Sequence, residues 1–383
     1  MRMTCTYGTV LITRELDADI LADVRYEVMR NAGSVRERCA LSARVLAAAL
    51  VLAGASASMA AQAQSTATPT PPVREVSSSV LALDPSRGSG VYPVYASSDL
   101  QAGSAAGRLA LVVVHGRLRN ASDYFITGTQ LAGTAGAKAA GGGSTATIVV
   151  APQFLNQVDV SAHNLTDRYL RWNRDWEAGM PAQGPSPASS YDVLDDLVDK
   201  LSYSAAFPEL RRIVFIGHGG GAQMLARYAA VTRLRSSRTV SFIIANSGTY
   251  LYLTTTRPLA AAVPCEDVNR WKYGLRDPPR YVGAPDAIVK NFAARDITLL
   301  LGGSDVKRSG VLDQSCAAEA QGRNRLERGQ YFLEALTLHH CCDMRSCAAL
   351  GTTKEKCCSR KRRATQSSRL RAERNFVSGR GKV

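Results

Sequence analysis

The chain has 383 residues, 45% of them hydrophobic and 21% charged, with 31 Gly and 15 Pro. It is long enough for one large domain with a substantial core, too apolar for a wholly disordered polymer, and free of the Gly-X-Y period of collagen. The formal net charge of +15 raises nucleic acid or an anionic membrane as partners, yet residues 351–383 alone carry 11 Lys/Arg against 2 Asp/Glu, and residues 1–63 carry 7 against 6. A body of ordinary charge therefore bears a basic tail. Its cluster Arg360-Lys361-Arg362-Arg363 has no interleaved aromatics to stack on bases, so specific nucleic-acid binding is not expected.

In chain order, the first signal is Val45–Gly54 (VLAAALVLAG), preceded by Arg30, Arg36, Arg38 and Arg44 and followed by Ala61-Gln62-Ala63. A basic region, a short apolar run and an A-x-A site make a secretory signal, which implies a secreted or periplasmic protein with no membrane span in the mature chain. Starting from Met1 the basic region is too long, whereas Met29 restores the usual proportions. The expected organisation is an upstream extension over 1–28, a signal over 29–63, a Pro/Thr linker over 64–89, a folded domain over 90–338 and a basic, Cys-rich tail over 339–383.

Within the body, Leu109–Val114 (LALVVV) and Thr147–Ala151 (TIVVA) are continuous apolar runs separated by a low-complexity loop at 132–146. Runs of this kind suit parallel strands covered on both faces. Residues 190–202 place Val193, Leu194, Leu197, Val198 and Leu201 on one helical face, with Ser189 or Ser190 as N-cap. Arg212–Ile216 is a third strand, followed by Gly217-His218-Gly219-Gly220-Gly221 and a helix from Ala222 to about Thr232. Val240–Ala245 and Ile297–Leu301 are further strands, and Gln321–Leu336 is a further helix. The alternation predicts an α/β fold: a doubly wound, mostly parallel sheet, with sites at the strands' carboxyl ends.

Strand, Gly-x-[residue]-x-Gly and helix is the geometry of a nucleophile elbow. The upstream strand ends in His115-Gly116, as an oxyanion loop does, and a later strand ends in Gly302-Gly303-Ser304-Asp305, which offers an orienting carboxylate. Asp313 is the second choice for that acid. The Gly-rich turn lacks the Lys-Ser/Thr of a phosphate-binding loop. Cys265 and Cys316 lie inside the body, and two cysteines in an exported domain most simply form one disulfide. The pairs Cys341-Cys342 and Cys357-Cys358 do not have structural-zinc spacing, so neither a metal nor a cofactor is expected.

Residues 90–336 resemble a family of secreted α/β-hydrolase proteins of bacteria and fungi described as serine hydrolases or esterases. The resemblance lies in VVVHGRLRNASDYF, VVAPQF, RYLRWNRDWEAG, YDVLDDLVDKL, FPELRRIVFIGHGGGAQMLARYA, IIANSGTYLYL, CEDVNRWKYGL and LDQSCAAEAQGRNRLERGQYF. It implies a small-molecule ester or acyl substrate, backbone oxyanion donors near Gly116, Arg117 and Gly220, and Asp305 as the acid. It also supports pairing Cys265 with Cys316.

Two departures bear on activity. The family's elbow reads Gly-His-Ser-Ala-Gly-Gly-Gln, whereas here Gly219 stands at the nucleophile position. Ser144, Ser186 and Ser304 follow a glycine at the same spacing but lack the strand–turn–helix setting. The family's Asn-Pro-Ser-Ser-Tyr is Asn246-Ser247-Gly248-Thr249-Tyr250. After Gln330-Tyr331-Phe332 the family's Gly-His segment is replaced by unpatterned text rich in Cys and Arg, in which His339 and His340 read as part of the altered segment. Leu350–Cys358 (LGTTKEKCC) can be encoded so that loss of two bases yields Gly-His-Asp-Lys-Gly-Lys-Met-Leu, which predicts an insertion or deletion between codons 336 and 349. His115 and His218 are expected to shape the loop and the pocket, and Trp172, Trp176 and Trp271 to anchor core and loops. The expected protein is a serine-esterase relative without turnover, the alternatives being a ligand-binding pseudo-hydrolase or the product of a decayed gene.

Overall fold

The computed structural model describes residues 2–6, 9–13, 71–139, 147–234, 236–308 and 311–341, the side chains of 2–13, 135–139 and 337–341 excepted. The segment read as a signal, 29–63, and the tail beyond 341 lie outside the described residues. Nine strands form one sheet: β1 (Arg2–Thr6), β2 (Thr9–Thr13), β3 (Val80–Ala82), β4 (Val91–Ala96), β5 (Leu109–Val114), β6 (Thr147–Pro152), β7 (Arg212–His218), β8 (Thr239–Ala245) and β9 (Asp296–Gly302). Their order is β1-β2-β9-β8-β7-β5-β6-β4-β3. The five strands from β6 to β9 are parallel, and the others are antiparallel additions at the two edges.

The five parallel strands are those read from the sequence. Alternate residues of the same apolar run feed opposite faces. Ala110, Val112 and Val114 of β5 join the larger core with Phe215, Phe242 and Ile244, whereas Leu111 and Val113 join Val149, Val214, Ile243 and Leu300. The first face is covered by α3 (Ser190–Ser202) and α4 (Gly220–Val231), and the second by α1 (Ala121–Ala139) through Tyr124, Phe125 and Leu131. Ser189 caps α3: its hydroxyl accepts from the Tyr191 N–H, and the Asp192 carboxylate accepts from the Ser189 N–H. The chain passes from β5 to β6 by way of α1, then reaches β7 on the other side of β5 by way of α3. That reversal puts the carboxyl ends of β5 and β7 at the topological switch point, where open α/β sheets place their ligands.

Two expectations need correction, and a third bears on the edge of the sheet. The low-complexity stretch 132–146 is helical as far as Ala139, because α1 runs through it with Thr127, Thr129 and Thr134 hydroxyls bonded to carbonyls four residues back. Residues 71–89, expected as linker, belong to the fold: Val73, Leu81 and Leu83 are buried, and the Val73 N–H donates to Asp159 Oδ1 at 2.9 Å. Lastly, the segment assigned to an upstream extension contributes β1 and β2, which extend the sheet from β9. β9 would otherwise expose a row of unpaired donors and acceptors, and a Thr/Val/Ile-rich segment is suited to cover them.

Smaller elements complete the shell: α2 (Gln157–Ala162), α5 (Pro285–Ala294), α6 (Cys316–Glu319) and α7 (Arg325–Cys341). A disulfide joins Cys265 to Cys316, with the Cα atoms 5.6 Å apart. It ties the loop that follows β8 to the start of α6.

Candidate active site

The turn between β7 and α4 has the backbone of a nucleophile elbow. Gly219 lies at φ 58°, ψ −109°, its N–H donates to the Ala245 carbonyl at 3.2 Å, and its carbonyl accepts from Gln223 N–H at 3.0 Å. This left-handed conformation is costly for a residue with a side chain. A Cβ built at Gly219 would nonetheless meet nothing within 4 Å. The position is sterically open and conformationally strained, as an exposed nucleophile's would be. Gly221 is glycine for a different reason: a Cβ there would collide with the Val114 carbonyl, so helix and strand can pass only if it has no side chain.

The loop expected to hold an oxyanion runs from His115 to Arg119 and is braced from both ends. His115 is fully buried; its Nδ1 faces the Gly116 carbonyl at 2.8 Å, and its Nε2 accepts from the Phe154 N–H at 2.9 Å. Those partners require a neutral ring protonated on Nδ1. Burial pushes its pKa down to about 4, the Gly116 carbonyl opposing. At the other end the Arg119 N–H closes a turn on the Gly116 carbonyl at 3.0 Å, and its guanidinium grips Asp159 at 2.7 and 3.0 Å. The loop backbone is thereby delivered to the elbow: a Cβ built on Gly220 would lie 3.0 Å from the Arg117 nitrogen. Gly116, Arg117 and Gly220, the three expected oxyanion positions, are brought together.

Asp305 lies just beyond β9, where its N–H bonds the Gly302 carbonyl at 3.0 Å. Its Oδ1 accepts from Arg325 Nη1 at 3.2 Å, so the carboxylate is held by the first residue of α7. His218 is exposed at the carboxyl end of β7. Desolvation and then the Arg325 charge lower its pKa from the ordinary value, and Asp305 opposes them. Asp313, the second choice for the acid, is committed elsewhere: Oδ2 accepts from Tyr273 hydroxyl at 2.6 Å and Oδ1 from the Ser315 N–H at 3.0 Å. Burial works against its charge, but those bonds prevail and keep the carboxyl below its usual value. Ser186 bonds the Ser89 backbone, and His339 and His340 fall in the last turns of α7, outside the described side chains.

A buried charge network beside the loop was not foreseen. Glu177 has 1% of its surface exposed, accepts from Arg117 Nη2 at 3.2 Å and lies 3.5 Å from Lys272 Nζ, which also pairs with Asp175 at 2.6 Å. Burial raises the Glu177 pKa, but Lys272 and then Arg117 outweigh it, and the group stays below its usual value. Both residues lie in the matched stretches RYLRWNRDWEAG and CEDVNRWKYGL; composition alone gave no sign that they meet. Deeper in, Gln223 Oε1 accepts from Thr249 hydroxyl at 2.7 Å, and that hydroxyl accepts from Arg227 at 2.7 Å. A Cβ on Gly248 would sit 2.8 Å from Gln223 Nε2, so the altered segment 246–250 packs its glycine against that amide. The tryptophans anchor, as expected: Trp176 packs on His115 and Phe154, while Trp172 and Trp271 indoles donate to the carbonyls of Met180 and Ala178.

A cavity of about 1020 Å³ lies elsewhere, beside α3, lined by residues that include Arg87, Asp192, Asp195 and Tyr281 and by none of the elbow or oxyanion residues. Asp195 there is fully engaged by Tyr228, Thr232, Tyr281 and Arg87. Among the described residues no group of His, Cys, Asp and Glu is arranged to hold a metal ion, and no helix is long and apolar enough to cross a membrane.

The sheet order, the helices on both faces and the elbow at the switch point make this an α/β-hydrolase fold. No protein-family model and no curated protein matches the sequence. Among solved structures, the chain is similar to poly(aspartic acid) hydrolase-1 from Sphingomonas sp. KT-1, at 20% identity and TM-score 0.46, over 70% of this chain and 87% of that one. A poly(3-hydroxybutyrate) depolymerase, LpqC from Bordetella parapertussis, matches at 20% identity and TM-score 0.46, over 72% and 80%. A lidless α/β serine hydrolase from Xanthomonas campestris matches at 16% identity and TM-score 0.28, over 60% and 85%.

Proposed function

We propose that this chain is an exported relative of serine esterases that retains an acyl-binding site and lacks turnover. In the active ancestor a serine at 219 would attack the acyl carbon, a downstream histidine would take its proton, Asp305 would orient that histidine, and N–H groups near Gly116, Arg117 and Gly220 would hold the oxyanion. The observation that carries this reading is Gly219 itself: an elbow backbone with room for a side chain and no atom to form the acyl-enzyme bond. Loss of a nucleophile typically removes several orders of magnitude of rate.

Two treatments of the purified protein test the reading. A fluorophosphonate probe is expected to leave the chain unlabelled and p-nitrophenyl acetate to hydrolyse at the background rate, whereas Gly219→Ser should label slowly at residue 219. Stoichiometric labelling of the unaltered chain at one serine would overturn it. The rival reading, a decayed gene, draws on the Gly-His segment encoded in another frame near Leu350–Cys358. Resequencing genomic DNA through codons 219 and 330–383 separates the two. A serine codon together with an open shifted frame makes this chain a flawed copy of an ordinary hydrolase; confirmation of both features leaves a pseudo-hydrolase.

A further inference from the structure

The cavity of about 1020 Å³ beside α3 has no part in the acyl site, and its lining has a chemistry of its own. Among the described residues it is lined by three guanidinia, of Arg87, Arg233 and Arg280, and three carboxylates, of Asp192, Asp195 and Asp199. A bound anion would face the three acids and a bound cation the three arginines, so the balance favours a ligand without net charge. Part of this charge is already engaged. Arg87 reaches Asp195 at 3.2 Å and also pairs with Asp199, while Asp195 takes three hydroxyls besides.

What remains unspent is a mixture of donors and acceptors. Arg233 and Arg280 are exposed, and neither guanidinium bonds any described residue. Asp192 is half-buried; one oxygen accepts from the Ser189 N–H at 2.8 Å, and the other has no partner among the described residues. Burial raises the Asp192 pKa and the charges of Arg87 and Arg280 oppose it, so Arg280 stands near Asp192 without closing an ion pair. The rest of the wall includes proline rings and Leu234.

We propose that this cavity is a binding site for a neutral saccharide. A vicinal diol accepts from a guanidinium with one hydroxyl and donates to a carboxylate with the next, and Arg280 and Asp192 offer that combination. The C–H faces of the same sugar ring suit the prolines and Leu234. The volume is that of a site for a drug-sized ligand, which a trisaccharide matches. No residue is shared with the elbow or the loop 115–119, so the inference is independent of the acyl-site reading.

The test is calorimetric titration of the whole chain with cellotriose, xylotriose and maltotriose as neutral probes, and with trigalacturonate and the glucosamine trimer as charged ones. At least one neutral trisaccharide should bind at a single site, at least tenfold more tightly than either charged trimer. Arg233 and Arg280 hold no described element in place, so the Arg233→Gln/Arg280→Gln double variant should keep its melting temperature and lose that affinity at least tenfold. Asp192→Asn, which keeps an acceptor for the Ser189 N–H, should weaken binding as well. Arg211→Gln, on exposed surface outside the cavity, should change nothing. Absence of binding by all three neutral trimers, tighter binding of a charged trimer, or affinity that survives the double arginine variant overturns the proposal. Equal loss in Arg211→Gln overturns it too, because the effect would then follow surface charge and not the cavity.

Discussion

His115 shows how one residue can set a loop at an energetic cost that depends on pH. Its ring is neutral because both nitrogens are committed inside the core, with the folded pKa near 4 against an ordinary value of 6.5. The folded state therefore binds fewer protons than the unfolded state between those values. Stability from this residue is complete above pH 6.5 and is lost as pH falls toward 4. The loss from pH 6.5 to 5, above most carboxylate titration, should be about 2 kcal/mol. Urea unfolding of the unaltered chain and of His115→Asn should show that slope in the first and a clearly shallower one in the second, the remainder coming from His218; parallel slopes would refute the assignment. The turn at Gly219 and the close passage of strand and helix at Gly221 were legible, because strand, turn and helix are consecutive in sequence. The Glu177–Lys272 pair was not, because 95 positions separate residues that only the folded loops bring together.

At the scale of elements, the five parallel strands were readable because burial on both faces leaves continuous apolar runs. β3 and β4 were not: the first has three residues, and the second, between β6 and β3, is interrupted by Pro93, so neither length nor alternation gives a signal. α1 was read only as low-complexity loop in its second half because Gly, Ala and Thr mask its period. The element with most leverage on the site is the segment closed by Cys265–Cys316, since it carries Lys272 and Tyr273 near one end and Asp313 and Ser315 at the other. With 51 positions between the cysteines, the crosslink removes enough unfolded-state freedom to contribute about 4 kcal/mol. The Cys265→Ser/Cys316→Ser double variant should unfold at correspondingly lower urea, with faster amide exchange at Tyr273 than in the strands. Unchanged exchange there would mean that the Tyr273–Asp313 bond alone holds the wall.

For the whole molecule, the question is which parts the hydrolase core needs. Export would remove residues up to about 63 and with them β1 and β2, leaving β9 as an edge strand that keeps its full ladder to β8. The buried residues of both faces lie from Leu81 onward, and the elbow, the oxyanion loop and Asp305 are held by elements after β4. The segment 71–73 is different: Pro71 and Val73 bond Arg119 and Asp159, so a processed chain would need them to brace the loop 115–119. A chain beginning at residue 64 is therefore expected to melt within about 5 °C of the full chain, and one beginning at residue 77 to lose more, along with whatever ester binding the unaltered site shows. The two truncations differ by thirteen residues and test opposite assignments. If removing residues 1–63 itself collapses the fold, the β1–β2 pair is an integral edge of the sheet, and initiation at Met29 must be abandoned.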